Sequence, residues 1–460
     1  MKKQYVMILC ISFGVFASVM SSTTLSIAFP DIVASFHISY SSLQIRNILF
    51  FAVFATGLPL FGHLADRVSP KLLMSMGLLL FCLSSFLSGF LHHWYLFLAF
   101  QSFQAVADSM IVPAQVVLIR KLFPQDKTGW AFGWFSGTLS AATLVGPALG
   151  GFIVRYFHWE TIFYLLSLIS FLSFLFVRWV VSEVQGSDEK ATLPYLSTMS
   201  LLGFILSVQV LFLHTRLMTK MIAFVIVFCS LGLLIFSEKR KQQGKAIFPT
   251  SAWKNWMFIH SLFRVFLLYM VSNAVLLYVP SFMRDVHHME PQIVGFILLM
   301  DSIIGVFFAG LAGKLADKAP HRTLLIGMMI SIMGVFLLSV SGIIRLPAIF
   351  MFGIIYLLLG MGGTVSMPAL NAIALLSVPE KETGSYMGVF QMIQFGTGAF
   401  AAGLFSTLVE AVHNTGEISV SGFTKMTVIC LVFYLIALLT LLWDKKLLKE
   451  KKNEITALKL

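Results

Sequence analysis

The amino-acid sequence predicts an all-α integral membrane protein, two pseudo-symmetric six-helix bundles with two further helices, fourteen transmembrane helices in all. Three observations carry this. Hydrophobic residues make up 58% of the 460 and charged residues 11%, with a mean hydropathy of +0.90, a balance in which a soluble domain could not cover its apolar surface. Apolar runs recur along the whole chain, each long enough to cross a hydrocarbon layer roughly 30 Å thick as a helix. The second half of the chain also repeats short motifs of the first at a nearly constant offset. A transmembrane barrel would instead show alternating segments of about ten residues.

The first run, 5–29, follows Met1-Lys2-Lys3 directly. It is too long for a signal peptide and has no small-residue cleavage site after it, so it is expected to be retained. Runs at 43–62 and 72–91 flank a short polar turn, and those at 94–118, 129–154 and 160–181 complete a first bundle, residues 1–183. The runs 194–214 and 220–237 sit between the polar segments SEVQGSDEKAT (182–192) and SEKRKQQGKA (237–246), which sets off 184–246 as an additional helix pair with cytoplasmic linkers. Six more runs, at 256–281, 291–313, 323–343, 346–370, 384–411 and 424–443, form a second bundle over 247–444, followed by a basic tail, 445–460.

The net charge is +12, and the placement of the cations decides what it means. Lys2, Lys3, Arg67, Lys71, Arg120, Lys121, Lys127, the KRKQQGK run from Lys239, Lys314, Lys318, Arg322 and the tail share one side; the opposite loops hold about six cations, among them Arg155, Arg216, Lys220 and Arg284. This is the positive-inside bias, and it places both termini in the cytoplasm. The tail is expected to lie against anionic lipid, and no nucleic-acid partner is expected. Cys10, Cys82, Cys229 and Cys430 all fall in apolar runs without metal-ligand spacing, so neither a disulfide framework nor a metal site is implied. His287-His288 beside Glu290 in an external loop reads as solvated polar surface. Phosphate-loop, zinc-protease and nucleophile-elbow motifs are absent, which leaves no basis for an enzyme.

GHLADRVSPK (62–71) returns as GKLADKAPHR (313–322), AVADSMIVPA (105–114) as GMGGTVSMPA (360–369), and TGWAFGWF (128–135) as TGSYMGVF (383–390). The offsets are 251, 255 and 255 residues. A duplication on this scale yields two bundles with a substrate site near mid-membrane, the architecture of alternating access. In the loop after the second run, Gly62-x-Leu64-Ala65-Asp66-Arg67 with Lys71 combines a small residue for a tight turn with an acid beside cations. Such an acid can pair across the bundles or meet a helix N-terminus.

With these residues the chain resembles the major facilitator superfamily, whose signature loop is G-x-L-a-D-r-x-x-x-r/k. Gly146-Pro147-x-x-Gly150-Gly151 in the fifth run is similar to the antiporter motif of its drug/proton exchangers. The fourteen runs, His158-Trp159 and AIFPTSAWKN (246–255) are similar to the fourteen-helix branch of multidrug efflux type. Pro147 cannot donate to the carbonyl four residues back and the glycines lack bulk, so the fifth helix is expected to bend and admit a close neighbour. The resemblance implies that this bend seals the pump on one face, and that Gly62, Asp66, Arg67, Lys71, Asp317 and Arg322 form a cytoplasmic gate in which the acids pair with cations. The departures are specific. Gln101 stands where the family has an arginine in R-x-x-q-G, Ser21-Ser22-Thr23 lacks the acid of D-x-T, and Thr143 occupies the place of a glutamate in similar tetracycline exporters.

Charged residues inside the apolar runs are Asp108, Asp301, Arg46 and Arg264. A carboxylate in hydrocarbon must pair, bind a cation or keep its proton, so Asp108 and Asp301 are the expected proton-coupling residues. Arg46, one turn into its run, is expected to snorkel to the outer headgroups. Arg264 is expected either to reach toward the cytoplasmic interface or to serve as counter-charge to Asp301. Asn47, Phe50, Phe51, Gln101, Gln104, Trp134, Asn273, Gln391 and Gln394, with Phe135 and Tyr278, lie on runs that line the cavity in similar transporters, and an apolar site with scattered amides suits amphiphilic compounds. The sequence thus reads as a monomeric proton-coupled antiporter of the bacterial cytoplasmic membrane. It would export hydrophobic, cationic drugs or dyes with no cofactor but the proton. The alternatives are an exporter of a siderophore, a fatty acid or tetracycline, and a membrane sensor that keeps the fold.

Overall fold

The computed structural model describes residues 2–38, 40–186, 194–211, 217–240, 252, 255–341, 347–409 and 420–457. Arg216, AIFPTSAWKN apart from Ala252 and Asn255, and most of the two polar linkers lie outside them.

Helices form wherever an apolar run was read. In chain order they are α1 (Lys2–Phe36), α2 (Tyr40–Arg67), α3 (Pro70–Phe90), α4 (Trp94–Leu122), α5 (Thr128–Tyr156), α6 (Glu160–Val180), α7 (Tyr195–Leu211), α8 (Leu217–Arg240), α9 (Trp256–Asp285), α10 (Pro291–Lys318), α11 (Pro320–Ser339), α12 (Ala348–Leu376), α13 (Thr383–Val409) and α14 (Val420–Ala457). Among the described residues, twelve are long and apolar enough to cross a membrane; α7, at 17 residues, is shorter, and α13 is not one of the twelve. Starts follow local chemistry. Ser69 accepts a bond from the Leu72 amide ahead of Pro70, and Asn255 accepts one from Phe258 at the head of α9, so donors that have no partner inside the helix are satisfied.

The chain divides into two compact units. One comprises residues Met1–Gln125, Thr138–Lys254 and Val378–Met392, the other Asp126–Gly137, Asn255–Ser377 and Ile393–Leu460. Within the first, α3 packs on α4 and α6, α2 on α4, and α1 on α6; within the second, α11 packs on α12 and α14, α10 on α12, and α9 on α14. This is one packing scheme used twice, with each helix replaced by the one eight places later. Small residues make the equivalent crossings. A Cβ on Gly77 would stand 3.1 Å from the Ala107 carbonyl oxygen, and one on Gly327 would stand 2.9 Å from that of Gly362. Close backbone approach of this kind supplies the van der Waals contact that holds helices together in lipid, where apolar burial gives no driving force. The added helices α7 and α8 pack on each other, and α7 also packs on α2.

Candidate functional site

The repeated motifs pair crosswise. Asp66, at the end of α2, accepts bonds from the Gly384 amide at 2.6 Å, the Ser385 amide at 2.8 Å and the Ser385 hydroxyl at 2.9 Å, all in the first turn of α13. Asp317, at the end of α10, accepts from the amides of Gly129 and of Trp130, the latter at 2.7 Å, in the first turn of α5. Each acid therefore caps the helix that begins with the other repeat's Thr-Gly. The helices can come this close because glycines face each other. A Cβ on Gly62 would strike the Gly384 carbonyl and one on Gly313 that of Gly129; on Gly388 it would stand 2.5 Å from the Leu58 carbonyl oxygen. Both caps fall within a unit, which explains why residues 126–137 and 378–392 group apart from their neighbours in the chain.

The hydrogen-bond partners of these acids are helix N-termini, one of the two options the sequence allows, where donors and dipole converge on a carboxylate; the charge of Arg67 acts on Asp66 as well. The cations have other contacts. Lys71 is buried and paired with Glu183 at 3.2 Å, Arg67 reaches His63 Nδ1 at 2.9 Å, and Arg322 is exposed.

In the fifth helix two of the glycines, Gly146 and Gly150, admit a close neighbour. A Cβ on Gly146 would collide with Thr23 Oγ1, one on Gly150 would stand 2.9 Å from the Thr24 carbonyl oxygen, and Thr24 donates to the Gly146 carbonyl at 3.0 Å. Pro147 lies within the unbroken helix, and Gly151 faces open space.

Asp108 is 2% exposed in the middle of α4. The Ser18 hydroxyl of α1 bonds its carboxylate, while Oδ1 has no partner among the described residues. One to two turns away lies a closed polar ladder. Arg46 is 4% exposed, which corrects the snorkelling expectation: its Nε and Nη2 donate to Gln101 Oε1, the former at 2.9 Å, and Nη1 donates to Asn47 Oδ1 at 3.0 Å. Gln101 donates to Gln104 Oε1 at 2.9 Å and to Ser88 at 3.1 Å, and Gln104 donates to Ser21 and Ser85. The guanidinium also lies 4.7 Å from the centroid of the Phe50 ring. Gln101 and Asn47 give the buried guanidinium neutral acceptors at Nε, Nη1 and Nη2, which offsets part of the cost of its desolvation. Both glutamines are buried with their amides spent on this ladder. Phe51 is exposed.

Asp301 has different surroundings. It is exposed along α10 and packs against Gly360 of α12, with Tyr356 and Tyr434 within electrostatic range. The buried Tyr356 hydroxyl has no partner among the described residues. Arg264 is not its counter-charge. It is fully buried and paired with Asp444 of α14, whose other carboxylate oxygen lies 2.5 Å from His260 Nδ1. Asp444 stands just before the basic tail; a lone acid at the end of an apolar run shows no sign in one dimension that a cation from a distant helix awaits it.

Gln394 donates to the Tyr269 hydroxyl at 2.7 Å, which in turn donates to Met367 Sδ at 3.0 Å; Asn273 bonds the Tyr269 carbonyl and its side-chain oxygen lies near Gly398. Tyr269 and Met367 went unnoticed in the sequence because each is one among many apolar-run residues. Gln391 is buried with Oε1 unpartnered among the described residues, and the half-buried Trp134 lies against Trp130 and near Gly310. Among the described residues no group of His, Cys, Asp and Glu is arranged to hold a metal ion.

The chain is 25% identical over 420 residues to the riboflavin transporter RibZ of Clostridioides difficile (strain 630), covering 88% of this chain and 89% of that protein. It is 25% identical over 338 residues to multidrug resistance protein 3 of Bacillus subtilis (strain 168), covering 71% and 64%. In three dimensions it is similar to the human organic anion transporter MFSD10 (TETRAN), with a TM-score of 0.66 at 14% identity over 95% of this chain and 99% of that one; this likeness shows the fold alone. The profile of the Major Facilitator Superfamily matches residues 11–402. With apolar helices throughout, and with a match of that extent, the chain belongs to the Major Facilitator Superfamily and is a multi-pass membrane transporter, not an enzyme.

Proposed function

We propose that this transporter is a proton-coupled antiporter that exports hydrophobic, cationic drugs or dyes across the bacterial cytoplasmic membrane through fourteen spans, with both termini inside. The observation that carries the reading is Asp108, a carboxyl group buried at mid-helix with one oxygen unpartnered among the described residues. An ionised carboxylate in that place costs at least about 2.5 kcal/mol, so its protonation changes with its access to water. A proton arriving from outside neutralises Asp108 or Asp301 and favours release of a cationic substrate, and loss of the proton inside restores the negative charge. Differential affinity for the two states drives the shift between them. The caps at Asp66 and Asp317 serve as the cytoplasmic gate, and the Gly146 and Gly150 contacts with α1 keep the fifth helix sealed. The similarity to multidrug resistance protein 3 supports the cargo class.

Ethidium-induced proton release in everted vesicles tests this. Wild type is expected to release protons, Asp108→Asn to lose at least about tenfold of the rate, and Asp301→Asn to lose part of it, on the scale at which about 1.4 kcal/mol is tenfold. Variants that both pump like wild type would remove the assignment. The similarity to a riboflavin transporter over 88% of the chain favours a second reading, movement of riboflavin or a like planar heterocycle. Labelled riboflavin crossing the membrane of expressing cells, with ethidium unaffected, would select it.

A further inference from the structure

Residues 181–186, which follow α6, rest on the turn that joins α2 to α3. Glu183 lies 3.2 Å from the ammonium of Lys71 and 3.4 Å from the guanidinium of Arg178. The Gln185 carbonyl accepts from Lys121 Nζ, at the end of α4, at 2.9 Å. Gly186 sets its backbone on the turn itself: a Cβ there would strike the Arg67 carbonyl and stand 2.8 Å from the Val68 carbonyl carbon, an approach that only glycine permits. Lys71 gives a reason for an acid at this place. It is 5% exposed and sits in the first turn of α3, where the helix dipole opposes a cation and an unpaired buried ammonium is costly. Glu183 is 67% exposed, and an ion pair with one partner in solvent is weak by itself. The ion pair, the Lys121 bond and the glycine seat act together on one short segment.

The two repeats differ here. Arg322, the counterpart of Lys71, is exposed, and α14, the counterpart of α6, continues as helix to Ala457. The segment also leads to α7, which begins nine residues after Gly186 and packs on α2; nine residues reach at most about 30 Å. The added helices therefore hold α2 both along its length and at its last residue, Arg67. Next to Arg67 stands Asp66, whose carboxylate caps α13. We infer that residues 181–186 are a strap through which the α7–α8 pair positions this cap: with Glu183 on Lys71 and Gly186 on Arg67, the end of α2 is kept where Asp66 meets the amides of Gly384 and Ser385. Glu183 and Gly186 are positioning residues that act on the cap through the α2–α3 turn. The inference rests on the reading of the Asp66 cap as a cytoplasmic gate, and it gives the two added helices a part in that gate.

Alkylation of buried cysteines tests it. In the full-length protein with its four cysteines replaced by serine, Thr383→Cys places a thiol at the head of α13, where Thr383 is 1% exposed, and Thr128→Cys places one at the head of α5, where Thr128 is 5% exposed. Rates of reaction with N-ethylmaleimide, which crosses membranes, are measured in membrane vesicles. Glu183→Lys sets a cation against Lys71 and is expected to speed Thr383→Cys about threefold, the scale of a partly exposed ion pair, with Thr128→Cys at the parent rate. Adding Lys71→Glu exchanges the two charges and is expected to bring the rate back toward the parent. Gly186→Val forces the segment off Arg67 and is expected to act as Glu183→Lys does, without recovery on adding Lys71→Glu. Parent rates in folded Glu183→Lys and Gly186→Val would overturn the strap. So would an equal rise at both thiols, which marks a general loosening, or a charge exchange that recovers nothing. Should Gly186→Val fail to fold, Glu183→Lys at the exposed position decides. Asp66→Asn separates the two readings, since it weakens the cap directly and is expected to speed Thr383→Cys whatever the strap does. If Asp66→Asn leaves that rate unchanged, the gate reading falls and the strap with it. If Asp66→Asn speeds the reaction and the strap variants do not, the strap alone falls.

Discussion

A buried ion is worth little while paired and costs much when its partner is removed, and Arg264 with Asp444 is the plainest instance in this chain. Both are at most 2% exposed, and Arg264 Nη1 has no partner among the described residues. Asp444→Asn leaves a cation stranded and is expected to destabilise the protein by about 3–5 kcal/mol, read as a fall in melting temperature in detergent. The double replacement Arg264→Met with Asp444→Leu is expected to recover most of that loss, since volume is kept and no charge is left over. A second residue-scale prediction concerns His287 in the outer loop. Its ring is half-buried, edge-on to Phe282 at 5.4 Å and Phe352 at 5.2 Å, with Nε2 unpartnered among the described residues. Burial, then the charge of His288, holds its pKa below the ordinary histidine value. The unfolded chain thus takes up the proton first as pH falls. The contribution of His287 to stability is whole above about pH 6.5 and is lost as pH drops below it. Melting curves between about pH 7.5 and pH 5 should steepen in wild type relative to His287→Phe.

At the scale of helices, the deciding feature is where a backbone must touch a backbone. Gly384→Val drives a side chain into the Gly62 carbonyl, which cannot move aside without shifting α2, whereas Gly151→Ala meets nothing within 4 Å. The first is expected to abolish folded protein or transport. The second is expected to be neutral or to stabilise by up to about 1 kcal/mol through helix propensity, both read by thermal unfolding and dye efflux. Asp66→Asn keeps the size of the cap but not its charge, and leaves one of the amides of Gly384 and Ser385 with a donor in place of an acceptor. A loss of about 1–2 kcal/mol is expected, and a similar loss for Asp317→Asn at Gly129 and Trp130. These caps were legible in part. The repeats of Asp66 in Asp317 and of Thr128-Gly129 in Thr383-Gly384 show that something at each place is used twice. A one-dimensional pattern does not tell that the acid of one copy meets the Thr-Gly helix of the other, because that pairing joins residues 318 and 188 apart.

For the whole molecule, packing of α1 to α6 and of α9 to α14 follows the same scheme, as a duplicated chain should. The extra pair α7 and α8 has no counterpart, and its topology is open to a direct test. In a cysteine-free background, Gln185→Cys is expected to react with a membrane-impermeant maleimide only after the cells are opened. Lys220→Cys is expected to react from outside. Labelling of both positions from the same side would remove the fourteen-span reading and with it the cytoplasmic placement of both ends.

Hydropathy and internal repeats suffice in this protein for class and helix positions, because each is a property of residue type and order that any fold of the chain must respect in lipid; the superfamily was legible only through the resemblance of the Gly62–Lys71 loop. The close approach at Gly146 and Gly150 of the fifth helix was readable for a like reason, since absent bulk permits it whatever the neighbour, while Gly151 uses none of that freedom. What tertiary structure decided is the identity of partners. Arg46 turned inward to Gln101, Arg264 found Asp444, and Asp66 and Asp317 took helix ends as hydrogen-bond partners. In each case a buried charge takes whatever satisfies its hydrogen bonds at the lowest desolvation cost, and that choice depends on which helices the fold brings side by side.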